Sequence, residues 1–216
     1  MTLTLHFHPL SSYCWKVLIG LYENGVGFER VVVDLGEEAS RAALLQLWPV
    51  GKMPVLVDAE QGEVVPESSV ILEYIDRRYP GCGRLVPADP DEAWRVRLWD
   101  RFFDLHVHEP MQKIVGDRLR PADRKDPQGV EEARARLETS YRLIERELHR
   151  PSWFGAGGFS LIDCAAAPSL YYADRVQPLG PERKALASYR AWLMARPSVA
   201  RVLDEALPYA HLFPED

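Results

Sequence analysis

Apolar and polar positions alternate over residues 3 to 8 (LTLHFH), the two-residue period of a short strand, and Pro9 ends it. The period then changes. In SYCWKVLIGLYENG, Trp15, Leu18, Ile19 and Tyr22 recur every three or four residues, which predicts a helix closed by Asn24-Gly25. FERVVVDL is dense in β-branched residues and reads as a second strand; EASRAALLQLW reads as a helix ended by Pro49. MPVLVD and EVVPE predict two strands joined by a tight turn at Gln61-Gly62, and ESSVILEYIDRRY a helix that stops before Pro80. The order β-α-β-α-β-β-α implies a parallel pair first and an antiparallel hairpin after it.

From there the pattern is helical. YPGCGRLVPADPDE concentrates Pro, Gly and charge and predicts an interdomain linker. The stretch from Asp91 to Arg120 carries bulky apolar groups on more than one face, so one long helix touching several surfaces is expected, kinked at Pro110. Val130, Ala133, Leu137, Tyr141, Ile144 and Leu148 form the cleanest amphipathic stripe in the chain. FSLIDCAAAPSLYYADRV is apolar nearly all round and predicts a buried central helix, opened by the capping box Ser160-x-x-Asp163. Two shorter helices are expected near residues 181 to 195 and 198 to 207. The expected division is residues 1–80 as an α/β domain, 81–90 as linker and 91–216 as an all-α domain.

Composition narrows the functional classes. An apolar fraction of 47% over 216 residues supports well-buried cores, and the net charge of −6 with scattered basic residues disfavours nucleic acid as a partner. The opening MTLTLHFHPL lacks a basic region and a long apolar run, so no signal peptide is expected, and no apolar stretch reaches the ~18 residues of a membrane span. Cys14, Cys82 and Cys164 are odd in number and lack metal-like spacing. A cytoplasmic protein without disulfides is expected.

Three places carry candidate chemistry. Ser11-Ser12-Tyr13-Cys14 lies where a strand gives way to a helix, in a C-x-x-C frame whose leading cysteine is a serine. A helix N-terminus offers unpaired N–H groups and partial positive charge, so Ser11 or Ser12 reads either as a cap or as a donor to a thiolate bound there. Met53-Pro54 opens a strand, where the X-Pro bond is open to either isomer. Glu67-Ser68 begins a helix; these residues either cap it or grip a ligand's carboxylate and ammonium. His6-x-His8 and His106-x-His108, at two-residue spacing on a strand and a helix, read as structural, and no metal is expected.

Taken together, HPLSSYCWKV, WPVGKMPVLV, PESSVILEYID and FSLIDCAAAP resemble the cytosolic-type glutathione S-transferases along the whole chain, with a serine-type, zeta-like N-terminal motif. The resemblance implies a thioredoxin-like N-terminal domain followed by an all-α C-terminal domain. It implies glutathione as co-substrate, a small hydrophobic electrophile that is conjugated or isomerised, a role in detoxification, and a homodimer. Ser11 then matches the catalytic serine, with Ser12 as its competitor, and Lys16 a position that is usually Arg or Lys. Met53 matches the residue whose backbone pairs with the cysteinyl unit, Pro54 the cis-proline, Glu67 and Ser68 the pair holding the γ-glutamyl group, and Lys52 a basic residue near the glycyl carboxylate. Tyr13 departs from the zeta pattern, which often has Cys there; with Phe102, Phe103, His106, Met111 and Ile114 it is the candidate wall of the electrophile pocket. Two alternatives stand beside this: a glutathione-dependent thiol oxidoreductase acting through Cys14, and a glutathione-binding module without turnover.

Overall fold

The computed structural model describes residues 3–214 except 82 and 151–157. In the N-terminal half, β1 (Leu3–Phe7), α1 (Ser12–Glu23), β2 (Glu29–Val32), α2 (Glu38–Leu47), β3 (Val55–Asp58), β4 (Glu63–Pro66) and α3 (Ser68–Arg78) follow one another. The strands form one sheet in the order β2-β1-β3-β4. β1 runs parallel to β2, as the α1 crossover requires, with Leu5 opposite Arg30, and antiparallel to β3, with Leu5 opposite Leu56. Leu3, Leu5 and Phe7 are buried while Thr4 and His6 between them are half-buried, which is the alternation read from the sequence.

Helices make up the rest: α4 (Pro90–Phe102), a π-helical segment (Phe103–His108), α5 (Glu109–Arg118), a short 3-10 turn (Ala122–Arg124), α6 (Pro127–Leu148), α7 (Leu161–Val176), α8 (Lys184–Met194), α9 (Pro197–Ala206) and a final 3-10 segment (Leu207–Leu212). α7 is the buried centre expected, packed on α1. Its capping box is formed: the Ser160 N–H donates to Asp163 at 2.8 Å and Ser160 Oγ accepts from Ile162 N–H at 3.3 Å. One continuous core, from Leu5 and Trp15 to Leu170 and Val199, joins the two halves. The connecting stretch is packed rather than loose. Leu85 and Val86 are buried, Asp76 accepts the Leu85 N–H at 2.7 Å, and a side chain at Gly81 would lie 2.1 Å from the Asn24 carbonyl. No described helix is long and apolar enough to cross a membrane.

The expected single kinked helix over residues 91–120 is instead broken by the π-helical segment just before Pro110. The physical reason is the missing proline N–H, which strands the carbonyls four and five residues earlier. α6 supplies substitutes: the Ser140 hydroxyl donates to the His106 carbonyl at 2.7 Å, and the Arg136 guanidinium donates to the Leu105 carbonyl at 3.2 Å.

Candidate active site

α1 begins beside the sheet because β1 ends at Pro9 and the chain turns back, Ser11 N–H donating to the His8 carbonyl at 3.0 Å. Ser11 is the N-cap, extended at φ −74° and ψ 117°, and its Oγ accepts the Cys14 N–H at 3.4 Å. That bond uses an oxygen lone pair and leaves the hydroxyl proton free for another acceptor. Ser12, one residue inside the helix, is buried. Cys14 is 0% exposed, and burial pushes its thiol up to about 12 against the opposing hydrogen bond from Ser11. A thiol so placed has no access to a substrate and almost no thiolate at neutral pH, which corrects the reading of Cys14 as a redox centre.

A cleft opens in front of this helix end. Its larger, mainly apolar lobe, about 580 Å³, is lined by Ser11, Ser12, Leu10, Val33, Met111 and Val115 among others. A polar lobe of about 330 Å³ continues it past Pro54, Glu67, Ser68, Arg101 and Asp104. The lobes meet at Tyr13, Lys52, Met53 and Gln112, which line both. Met53-Pro54 is cis. Glu67 has φ 68°, the only positive φ of a non-glycine among the described residues, a conformation that costs about 1–3 kcal/mol and collects at ligand-holding positions. Its side chain does not cap α3, and Glu67 and Ser68 at the start of that helix line the lobe.

Behind the wall runs a buried ionic cluster. Lys16 Nζ lies 2.6 Å from Asp100 and 2.8 Å from Asp104, and it donates to Ser69 Oγ at 2.8 Å, while Ser69 Oγ donates to Asp100 at 2.7 Å. α1, α3, α4 and the π-helical segment are thereby tied at one point. Burial raises the Asp100 carboxyl above its usual range; Lys16 opposes that rise and Asp104 adds to it. One turn further on, His108 stacks flat on Tyr13, centroids 4.1 Å apart and planes at 24°. His108 is fully buried with no hydrogen-bond partner at either ring nitrogen, and burial, then Lys16, pushes its pKa down to about 3.

The structure therefore brings together Ser11, Ser12, Tyr13, Lys52, Met53, Pro54, Glu67, Ser68 and Met111. The other proposed wall residues are elsewhere. Phe103 and Ile114 are buried in the core, and Phe102 and His106 line a separate hollow of about 350 Å³ against Arg136, Thr139 and Ser140 of α6. The π-helical segment shifts the helix face, so the wall is carried by Met111, Val115 and Leu119 instead, with Gln112 at the lobe junction. Their four-residue spacing was visible in the sequence; the choice of this stripe over its neighbour was not. Leu212 and Phe213 also line the apolar lobe, and no local signal marks them. No group of three or more His, Cys, Asp or Glu side chains able to hold a metal occurs among the described residues.

Comparison with known proteins is consistent along the chain. Residues 5–83 match the family described as "Glutathione S-transferase, N-terminal domain", and residues 127–205 match "Glutathione S-transferase, C-terminal domain". Glutathione S-transferase U10 of Arabidopsis thaliana is 37% identical over 135 residues, a match covering 62% of this chain and 55% of that protein. A stringent starvation protein A homolog of Histophilus somni is 30% identical over 215 residues, covering 95% and 92% of the two chains. The crystal structure of a glutathione S-transferase of Methylobacillus flagellatus, solved with glutathione bound, superposes with a TM-score of 0.83 at 27% identity, covering 93% of this chain and 98% of that one.

Proposed function

Because this chain belongs to the glutathione S-transferase family and is a glutathione transferase, we propose that the polar lobe of its cleft holds glutathione and the apolar lobe a small hydrophobic electrophile. The observation that carries this reading is the meeting of the two lobes at Tyr13, Lys52 and Met53, in front of the α1 N-terminus. Glutathione's cysteinyl unit lies along the Met53 backbone, its γ-glutamyl group at Glu67-Ser68 and the α3 N-terminus, and its glycyl carboxylate toward Lys52. The sulfur then faces Ser11.

A free thiol has a pKa of about 8.5, so little thiolate exists at neutral pH. The Ser11 hydroxyl, held by its cap bond with the proton free, donates to the sulfur, and the helix end adds positive potential. One charge-assisted hydrogen bond contributes about 1.5–3 kcal/mol, roughly one to two pKa units, enough to populate the nucleophile without a general base. Ser11 is the donor rather than Ser12, which is buried inside the first turn. In Ser11→Ala, turnover falls about 10- to 100-fold while glutathione affinity, measured by titration, changes far less. Turnover equal to that of the unaltered enzyme would move the role to another residue.

The enzyme works in the cytoplasm as a homodimer. Trp94 and Leu98, both about half exposed, continue at four-residue spacing into Phe102 and the hollow beside it. A second copy covers this face. Leu98→Glu gives a monomer by light scattering; an unchanged mass would reject the interface. A second reading, a glutathione-binding module without turnover, draws on the similarity to stringent starvation protein A homologs. Tight glutathione binding with no product from a broad electrophile panel would select it.

A further inference from the structure

Ser11 hangs from a short turn, His8 to Leu10, that belongs to neither β1 nor α1. Such a turn keeps its shape only where its peptide groups find partners outside the regular ladders. The two peptide groups leading into Ser11 are bonded at both ends. On one side, the Leu10 N–H donates to His8 Nδ1 at 3.2 Å and the Ser11 N–H to the His8 carbonyl at 3.0 Å. On the other, the Trp15 indole N–H donates to the Pro9 carbonyl and the Tyr172 hydroxyl to the Leu10 carbonyl at 2.9 Å. Trp15 belongs to α1 itself. Tyr172 stands in α7, 162 positions beyond Leu10, and is the helical half's direct hold on the turn. Its ring is 3% exposed, lies against Trp15 and Tyr171 with centroids 5.0 Å away, and stacks on Phe213 at 5.5 Å and 24°. A ring packed on three sides delivers its hydroxyl to one place.

We infer that Tyr172 is a positioning residue for Ser11: by holding the Leu10 carbonyl on the core side, it fixes the direction in which the Ser11 hydroxyl meets a bound thiol. This role rests on the reading of Ser11 as the thiol's donor, and deepens it. The Leu10 carbonyl and the Ser11 N–H belong to one rigid peptide plane. Rotating that plane carries the Ser11 side chain with it and moves the carbonyl's partial negative charge toward the lobe that Leu10 and Ser11 both line. Either movement weakens the hold on the sulfur, since hydrogen bonds fade steeply with angle and a nearby negative end disfavours a thiolate. No proton or electron moves at Tyr172. Burial raises its pKa, so the hydroxyl stays neutral, and Tyr172→Phe removes a bond without removing a charge. The other titratable side chains bordering the lobe, His8, Tyr13, Asp34 and Lys52, keep their places, as do Tyr171, Arg175 and Cys14 around the ring.

The thiol pKa of bound glutathione, followed by ultraviolet titration of the thiolate, tests this. In Tyr172→Phe, which keeps the ring and its stacks, that pKa rises by about half to one unit, a share of the one to two units the Ser11 bond contributes. Turnover of a chloronitrobenzene below that pKa falls about 3- to 10-fold. Two companions show whether Ser11 carries the effect. In the Ser11→Ala background Tyr172→Phe adds nothing, since no hydroxyl is left to aim. Tyr141→Phe loses a like bond, from a fully buried tyrosine to the Gln177 carbonyl at 3.1 Å; it lowers the melting temperature similarly and leaves the thiol pKa where it was. An unmoved thiol pKa in Tyr172→Phe would overturn the role. So would a further shift in the Ser11→Ala background, which puts the effect elsewhere, or an equal shift in Tyr141→Phe, which makes it general loosening. A thiol at its ordinary pKa in the unaltered complex would overturn the thiol-donor reading of Ser11 as well.

Discussion

Replacing Lys16 by Met is the sharpest test of how the two halves are held together. The substitution conserves length and apolar stem but removes the only ammonium between two carboxylates. Lys16, Asp100 and Asp104 have side chains 0%, 2% and 4% exposed, Lys16 Nζ lies 2.6 and 2.8 Å from the two carboxylates, and the largely exposed Arg101 reaches Asp104 only at 3.5 Å. Breaking one partner out of a buried pair costs about 3–5 kcal/mol, chiefly because the remaining charge is left unpaired. For a chain of this size each kcal/mol moves the melting temperature by about 2–4 °C, so Lys16→Met melts roughly 6–20 °C lower at neutral pH. The pH dependence carries a definite sign. The folded-state pKa of Asp100 already lies above its ordinary value, chiefly through burial. A carboxyl raised on folding is protonated in both states below its unfolded pKa, and it loses stability as pH rises from there to its folded pKa. Removing Lys16 raises that folded pKa further and widens the losing window upward. The melting difference between the variant and the unaltered protein therefore shrinks as pH falls from 7 toward about 4. Calorimetry at the two pH values checks this, with Lys16→Met/Asp100→Asn/Asp104→Asn as the companion that removes all three charges and recovers most of the loss. A drop that is the same at both pH values, or that persists in the triple variant, would refute the assignment of the loss to unpaired buried charge.

Other consequences are equally direct. Cys14 is buried, with its thiol pushed up to about 12, so it resists a water-soluble disulfide reagent in the folded protein and reacts after denaturation; Cys14→Ala keeps transferase activity. His108 is neutral in the fold because burial pushes its pKa down to about 3, whereas the unfolded chain takes up a proton below about 6.5. Stability from this residue is present above that pH, and each pH unit below it costs about 1.4 kcal/mol until the folded pKa is reached. A melting curve for His108→Phe consequently falls less steeply between pH 7 and 5 than that of the unaltered protein; equal slopes would reject the buried-neutral state.

Much of the site was legible residue by residue. Ser11 at a strand-to-helix junction, Met53-Pro54 before a strand and Glu67-Ser68 before a helix each showed their local character. The structure adds that all three border one cleft. Local sequence also favoured capping as the simple account of Ser11, and the cap is present; the bond engages the oxygen and leaves the proton available, so capping and thiol activation are compatible in one side chain. The alternative of a redox-active Cys14 turned on exposure, which its neighbours in sequence do not set: α7 packs over the inner face of α1 and the thiol is buried.

Outside residues 91–120, the sequence by itself determined the main elements and their order. Two-residue and three-to-four-residue periods, proline stops and the Ser160 capping box are properties of neighbouring residues, and short-range sterics and hydrogen bonding act on neighbours alone. Only the tertiary structure decided which apolar stripe faces the cleft, because one π-helical turn, stabilised by Ser140 and Arg136 from a helix some thirty residues away, rotates everything after it. The same holds for Lys16, whose carboxylates lie 84 and 88 positions along the chain, and for His108 beneath Tyr13. These partners meet through packing of the shared core, and no local pattern encodes a contact whose two sides are written so far apart.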